Sequence, residues 1–258
     1  MSRISPAERR SDAIQPRGVR TRVLSLALLL ALAVVGTGQA QPATDFCETA
    51  PPAASGFWER VDVRGLAHLY CLDAPAAARL LEGAHVTSYP AFYGAVPAAW
   101  LGAWMLRDEH DFTDAYRLTL TQVTTFGATV GLKRLVGRPR PFVTRPIPPR
   151  TDRSPEVLGR FESFPSGHAS LSVALATSWS LSHPQWYVVA PSAAWAGAVA
   201  VSRLYLGVHY PSDVIVGGLL GAGIATGVHL LRDALTPEAL RPSASAEAPP
   251  PVTVRVRF

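Results

Sequence analysis

Residues 164–231 read FPSGHAS LSVALATSWS LSHPQWYVVA PSAAWAGAVA VSRLYLGVHY PSDVIVGGLL GAGIATGVHL L, and across these 68 positions the only formally charged side chains are Arg203 and Asp213. A soluble stretch of that length, at about a quarter charged, carries roughly seventeen. The segment therefore faces lipid or a protein interior. Ala169–Ser202 is interrupted at Ser182-His183-Pro184, which reads as the break between two helices. Val214–Leu231 reads as a third apolar helix. Its Gly217/Gly221 and Gly223/Gly227 pairs stand four apart, a spacing that lets another helix approach closely.

Outward from this block the pattern stays helical. Val86–Leu106 is a charge-free run of 21 residues, long enough to span a bilayer. Leu118–Leu132 is charge-free, Thr-rich and shorter, ending at Lys133. Residues 41–85 are Ala- and Pro-rich with scattered charges and read as loops and short amphipathic helices. Pro141–Ser163 reads as a long Pro- and Arg-containing loop of the kind that covers a site. No repeat or strand-rich pattern interrupts the body of the chain. The expected fold class is all-α, a membrane-embedded bundle with five long helices.

The ends read differently. Arg17, Arg20 and Arg22 precede the apolar run Val23–Val35, and Gly38-Gln39-Ala40 follows with small residues where a signal peptidase reads. Residues 1–40 therefore read as a cleaved signal peptide or an uncleaved anchor, residues 41–240 as the main domain and 241–258 as a Pro-rich tail. Counting Val23–Ala40 as a span gives six spans, or five after cleavage. Either reading exports the chain beyond residue 40, and Cys47 and Cys71, the only cysteines, fit one disulfide or two buried thiols. Val252–Phe258 alternates like a strand and reads as a tail that pairs locally.

The formal charge of +5 owes much to the leader, where six Arg face Glu8 and Asp12; the remainder holds 18 basic and 17 acidic residues. That near-neutral balance gives nucleic-acid binding no support. Locally, Lys133, Arg134, Arg138, Arg140, Arg145, Arg150, Arg153 and Arg160 are opposed by Asp152 and Glu156 alone, which reads as either a field that attracts an anion or a solvated basic loop.

Three short segments carry chemistry. In Lys133-Arg-Leu-Val-Gly-Arg-Pro-Arg140-Pro141, Lys133 is the single lysine against 23 arginines, which suggests that a compact ammonium is needed there. Arg140 and Arg203 offer forked donors that suit phosphate oxygens and stabilise charge during transfer. Pro165-Ser166-Gly167-His168 opens a helix, with Ser166 as N-cap and Gly167 allowing close backbone approach, so free amides there suit an anion. In Ser202-Arg203-Leu-Tyr-Leu-Gly-Val-His209-Tyr-Pro-Ser-Asp213, the spacing of four lets Asp213 reach the His209 Nδ1. That leaves Nε2 unprotonated, as a histidine nucleophile requires.

Together these segments resemble the signature of the type 2 phosphatidic acid phosphatase (PAP2) family, whose fold is shared with vanadium haloperoxidases. The pattern is Lys, six residues, Arg-Pro; Pro-Ser-Gly-His; and Ser-Arg, five residues, His, three residues, Asp, and every fixed position matches here. The resemblance covers roughly Val86 to Leu231. It implies that His209 forms a phosphohistidine oriented by Asp213, and that His168 protonates the leaving group and later helps a water attack. It implies that Lys133, Arg140, Ser166, Gly167 and Arg203 hold the phosphate, with no metal and no cofactor. His68, His85, His110, His183 and His229 lie outside the motifs and read as structural or surface residues.

The expected substrate is a lipid phosphate or diphosphate, handled at the membrane without an obligatory protein partner. The family places its motifs on the outer face, so the expected location is the cell envelope, in the inner membrane with the site facing the periplasm. Some family members are soluble periplasmic phosphatases, and that alternative stays open. Haloperoxidases of this fold resemble much longer chains, and a catalytically dead scaffold would need none of His168, His209 and Asp213.

Overall fold

The computed structural model describes residues 46–47, 56–107, 109–145, 147–151 and 159–240. The leader 1–40, the tail 241–258 with its strand-like end, and residues 152–158 of the long loop lie outside the described residues.

Six helices of 14 residues or more make up the described body: α1 Phe57–Tyr70, α2 Pro75–Leu106, α3 Glu109–Val136, α4 Gly167–Ser182, α5 Trp186–Tyr205 and α6 Pro211–Leu230. No strand occurs among the described residues. The five expected helices are present, and α4 and α5 break at His183-Pro184 as the sequence indicates. Two boundaries differ from the sequence reading. The stretch 41–85 supplies the first 11 residues of the 32-residue α2, whose start is set by Pro75 at its first position. It also supplies α1, an amphipathic helix whose Val63, Leu66 and Tyr70 are buried on one face. The loop Pro141–Ser163 holds a short helical turn, Pro141–Thr144.

α4 lies at the centre and packs against α3, α5 and α6, while α2 closes the bundle against α3 and α5. The main core joins Ala84, Leu118, Leu175, Trp195 and Val199. α6 meets α4 backbone to backbone. A Cβ added at Gly221 would lie 2.1 Å from the Ser170 carbonyl oxygen, and one at Gly217 would lie 2.6 Å from that of Ser166. The second glycine pair behaves differently, since a Cβ added at Gly223 or Gly227 would meet nothing within 4 Å. Half of the small-residue pattern is thus a helix seam, and half faces open space.

α1 covers the end of the bundle where α5 gives way to α6. Leu66 and Tyr70 pack with Phe46, Ile147 and Tyr210. The Cys47–Cys71 disulfide, with Cα atoms 5.6 Å apart, closes the chain around α1, as the first of the two cysteine readings expected. Gly207, at φ +69°, turns the chain between α5 and α6, and a Cβ there would meet the Tyr70 ring at 2.9 Å.

Among the described residues one helix, Pro211–Leu230, is long and apolar enough to cross a membrane, rather than the five expected. Ser, Thr, Gly and Pro dilute the others. Their outward faces are apolar all the same: Tyr93, Leu101, Trp104 and Met105 of α2, and Val123 and Phe126 of α3, are all more than half exposed.

Candidate active site

The sequence-marked residues come from four helix ends and converge at one end of the bundle. Lys133 lies in the last turn of α3, Ser166 caps α4, Arg203 lies in the last turn of α5, and Asp213 lies in the first turn of α6. Arg140 precedes the short turn Pro141–Thr144, and His209 sits between α5 and α6.

His209 is 3% exposed. Arg140 Nη1 lies 3.0 Å from its Nε2. A guanidinium only donates, so Nε2 accepts and the imidazole proton sits on Nδ1. Nδ1 faces Asp213 Oδ2 at 3.7 Å, longer than a hydrogen bond. The carboxylate is held elsewhere. Ser163 Oγ donates to Oδ2 at 2.5 Å, the Tyr210 backbone N–H donates to Oδ2 at 2.9 Å, and Arg138 Nη1 donates to Oδ1 at 2.6 Å. Burial, and after it the Arg140 charge, hold the His209 imidazole down at about 3, so it is neutral at physiological pH.

Arg140 also donates from Nε to the Gly159 carbonyl and from Nη1 to the Val208 carbonyl, both at 2.9 Å. Burial lowers it to about 10, which leaves it charged near neutrality. Lys133 Nζ donates to the Glu162 carbonyl. Its Cε stands 3.8 Å from where a Gly167 Cβ would be, so a side chain at 167 would fill the space between the α4 start and the ammonium. Ser166 occupies the N-cap position without a capping bond from its side chain. Its hydroxyl is buried and has no partner among the described residues, while its backbone N–H donates to the Asp213 carbonyl at 2.9 Å. A buried hydroxyl without a partner is a ready donor to an anion.

His168 lies in a cage of rings, with centroids of Tyr89 at 5.2 Å, Phe92 at 5.5 Å and His85 at 5.9 Å. Its Nε2 is buried without a partner among the described residues. His85, read from the sequence as a structural or surface residue, borders this group. Arg203 Nη2 lies 2.6 Å from its Nδ1, and Arg203 Nε and Nη2 both donate to Ser202 Oγ. His183 does keep a structural place, stacked on Trp179 at 4.4 Å.

The basic patch divides by role. Lys133 and Arg140 face His209, and Arg134 and Arg160 are exposed. Arg145 reaches Glu59 at 3.7 Å, and Arg150 lies over the Tyr70 and Tyr205 rings at 4.2 and 4.8 Å. Arg138 is spanned by Asp213 and by Asp62 of α1, to which Nη2 donates at 2.6 Å. Burial works against its charge, and the two carboxylates outweigh that and raise its pKa. Asp62, Arg138, Ser163 and His85 are the residues that the motif reading does not single out.

The PAP2 superfamily family model matches residues 115–237. The lipid A 1-phosphatase of Rhizobium johnstonii is 32% identical over 134 residues, 50% of this chain and 46% of that protein. The undecaprenyl-diphosphatase of Sulfolobus acidocaldarius is 43% identical over 63 residues, 24% of this chain and 30% of that one. The chain thus spans less than half the length of these curated relatives. The crystal structure of the transmembrane PAP2-type phosphatidylglycerolphosphate phosphatase of Bacillus subtilis superposes with a TM-score of 0.54 at 19% identity, covering 86% of this chain and 98% of that one. That likeness is one of fold.

Proposed function

We propose that this chain, whose residues 115–237 match the PAP2 superfamily model, is a member of that family and hydrolyses a lipid phosphate or diphosphate through a phosphohistidine on His209. The observation that carries the reading is the placement of His209 Nε2, unprotonated and 3.0 Å from the Arg140 guanidinium. The Nε2 lone pair that now accepts from Arg140 is the one that attacks phosphorus, and the guanidinium turns to a phosphate oxygen when substrate arrives. Lys133 and Arg203, with the Ser166 hydroxyl, complete a cationic cradle that supplies charge stabilisation without a metal.

In the first step Nε2 attacks phosphorus and the bond from phosphorus to the leaving oxygen breaks. His168, protonated when the anionic substrate arrives, gives that proton to the leaving oxygen and is left neutral. Asp213 lies behind Nδ1–H and favours the positive charge that develops on the ring. In the second step His168 takes a proton from water, the water oxygen bonds to phosphorus, and the P–N bond breaks to release phosphate and neutral His209. Relatives named for lipid A and for undecaprenyl diphosphate support a lipid-linked substrate, and the apolar outward faces of α2 and α3 support a bilayer setting. We place the protein in the cell envelope, with residues 1–40 as its leader or anchor and 41–240 as the phosphatase domain.

The test is a trapped intermediate. Wild-type protein forms an acid-labile, alkali-stable phosphoenzyme, and His209→Ala loses it together with turnover, by about 10⁴-fold or more. Chelator leaves the rate unchanged. A chelator-sensitive activity that survives His209→Ala sinks the mechanism.

A further inference from the structure

We infer that Asp62 of α1 is a positioning residue for the reaction, setting through Arg138 both the orientation and the charge of Asp213 behind His209. The inference rests on the phosphatase reading above, and it concerns a residue outside the stretch 115–237 that matches the family.

The geometry is a closed chain of bonds. Asp62 is 3% exposed and Asp213 fully buried. Arg138 Nη2 donates to Asp62 Oδ2 at 2.6 Å, and Nη1 donates to Asp213 Oδ1 at 2.6 Å. Ser212 closes the ring. Its backbone N–H donates to Asp62 Oδ1 at 2.8 Å, its hydroxyl donates to Asp62 Oδ2 at 2.8 Å, and that hydroxyl accepts from Arg138 Nη1 at 2.7 Å. The guanidinium carbon lies over the Tyr210 ring, 4.4 Å from its centroid. Asp62 is itself held in place: a Cβ on Gly65, one turn along α1, would meet Pro211 Cγ at 2.8 Å, so α1 rests directly on the start of α6.

The charges explain what the arrangement does. Two carboxylates share one guanidinium, so the cluster carries a net single negative charge beside the imidazole. With Asp213 as its sole carboxylate partner, Arg138 would neutralise it and draw it away from Nδ1. Asp62 takes one arm of the fork and leaves Asp213 with negative charge to spare. That surplus acts when His209 attacks phosphorus and its ring becomes positive, not when substrate binds. The expected signature is therefore a loss in kcat rather than in KM.

The experiment uses the full chain in detergent, with para-nitrophenyl phosphate and dioleoyl phosphatidic acid as probes. Asp62→Asn keeps the shape but removes the charge. It should lower kcat and the rate of phosphoenzyme formation by about tenfold or more while KM stays within about twofold. Asp62→Glu should recover part of the loss. In an Asp213→Asn background the same change should add less than about twofold, because residues acting as one unit are not additive. Wild-type kcat in folded Asp62→Asn overturns the inference, and so do independent, multiplying losses in the double variant. Should Asp62→Asn fail to fold, Arg138→Lys poses the same question, since an ammonium cannot fork between two carboxylates. Unchanged kcat there is equally fatal. Loss of the intermediate in His209→Ala alongside wild-type kcat in Asp62→Asn removes this inference alone, whereas turnover surviving in His209→Ala removes the reading beneath it.

Discussion

At the end of the bundle that holds His209, side chains as distant in sequence as Asp62, Arg138, Ser163 and Asp213 bond one another directly. At the opposite end α2, α3, α4 and α5 stand around a cavity of about 440 Å³ whose walls include Gly94, Ala98, Ala99, Gly102, Leu175 and Trp195. The first region admits one arrangement, because each buried polar group depends on its neighbours. The second is mainly apolar, with isolated bonds such as Trp195 Nε1 donating to Thr87 Oγ1 at 3.1 Å and Ser182 Oγ to Asp114 Oδ1 at 2.9 Å, and its small side chains leave room. Chemistry should accordingly be sensitive to single atoms at one end and indifferent to them at the other.

The seam between α4 and α6 is where this contrast is easiest to break. Gly221→Val would drive a side chain into the Ser170 carbonyl, so no folded, active protein should be recovered, whereas Gly227→Val, facing open space, should melt and turn over much as wild type does. Equal behaviour of the two would show that the seam does not hold the site together. A smaller effect is expected within the cradle. Lys133→Arg should cost about tenfold in kcat/KM although the charge is kept, since a planar fork cannot replace a compact ammonium. The neighbouring exposed Arg134→Lys should stay within about twofold of wild type.

Acid sharpens the comparison next. His209 titrates near 3 in the folded chain against an ordinary 6.5. Below 6.5 the unfolded chain takes up a proton that the native site refuses, so stability is intact above that pH and declines as pH falls toward 3. The slope is at most about 1.4 kcal/mol per pH unit. Denaturant melts of wild type and His209→Gln should diverge in that window and run parallel above it; parallel melts throughout would show that His209 is not held neutral. The smallest effect belongs to the far end. Ala99→Leu fills part of the cavity and should raise stability by about 0.5–2 kcal/mol with para-nitrophenyl phosphate turnover within about twofold. A large loss of turnover would mean that the two ends are coupled.

What was legible in the sequence divides along the same line. Lys133, Arg140, Ser166, His168, Arg203, His209 and Asp213 stand out because they are polar residues at fixed spacings near or within an almost charge-free background. The helix break at His183-Pro184 and the Gly217/Gly221 seam were readable for the same local reasons. Asp62 was not, because its partners Arg138 and Ser212 lie 76 and 150 residues away and nothing local marks one aspartate of α1 as buried. His85 was missed likewise, its tie being to Arg203, 118 residues on. α1 itself had a readable signal in the spacing of Val63, Leu66 and Tyr70, which the charges between them obscured.

The solitary lysine gives the protein a built-in reporter. Reagents that modify amines, such as isotopically labelled formaldehyde with a mild reductant, have one side chain to find in all 258 residues, and it stands beside Gly167 at the mouth of the cradle. A dimethylated Lys133 would contribute a single side-chain resonance, separable from that of the chain's terminal amine. Its shift would follow the arrival and departure of an anion in an otherwise silent spectrum. A chain this poor in lysine can be followed at its candidate site with no substitution at all.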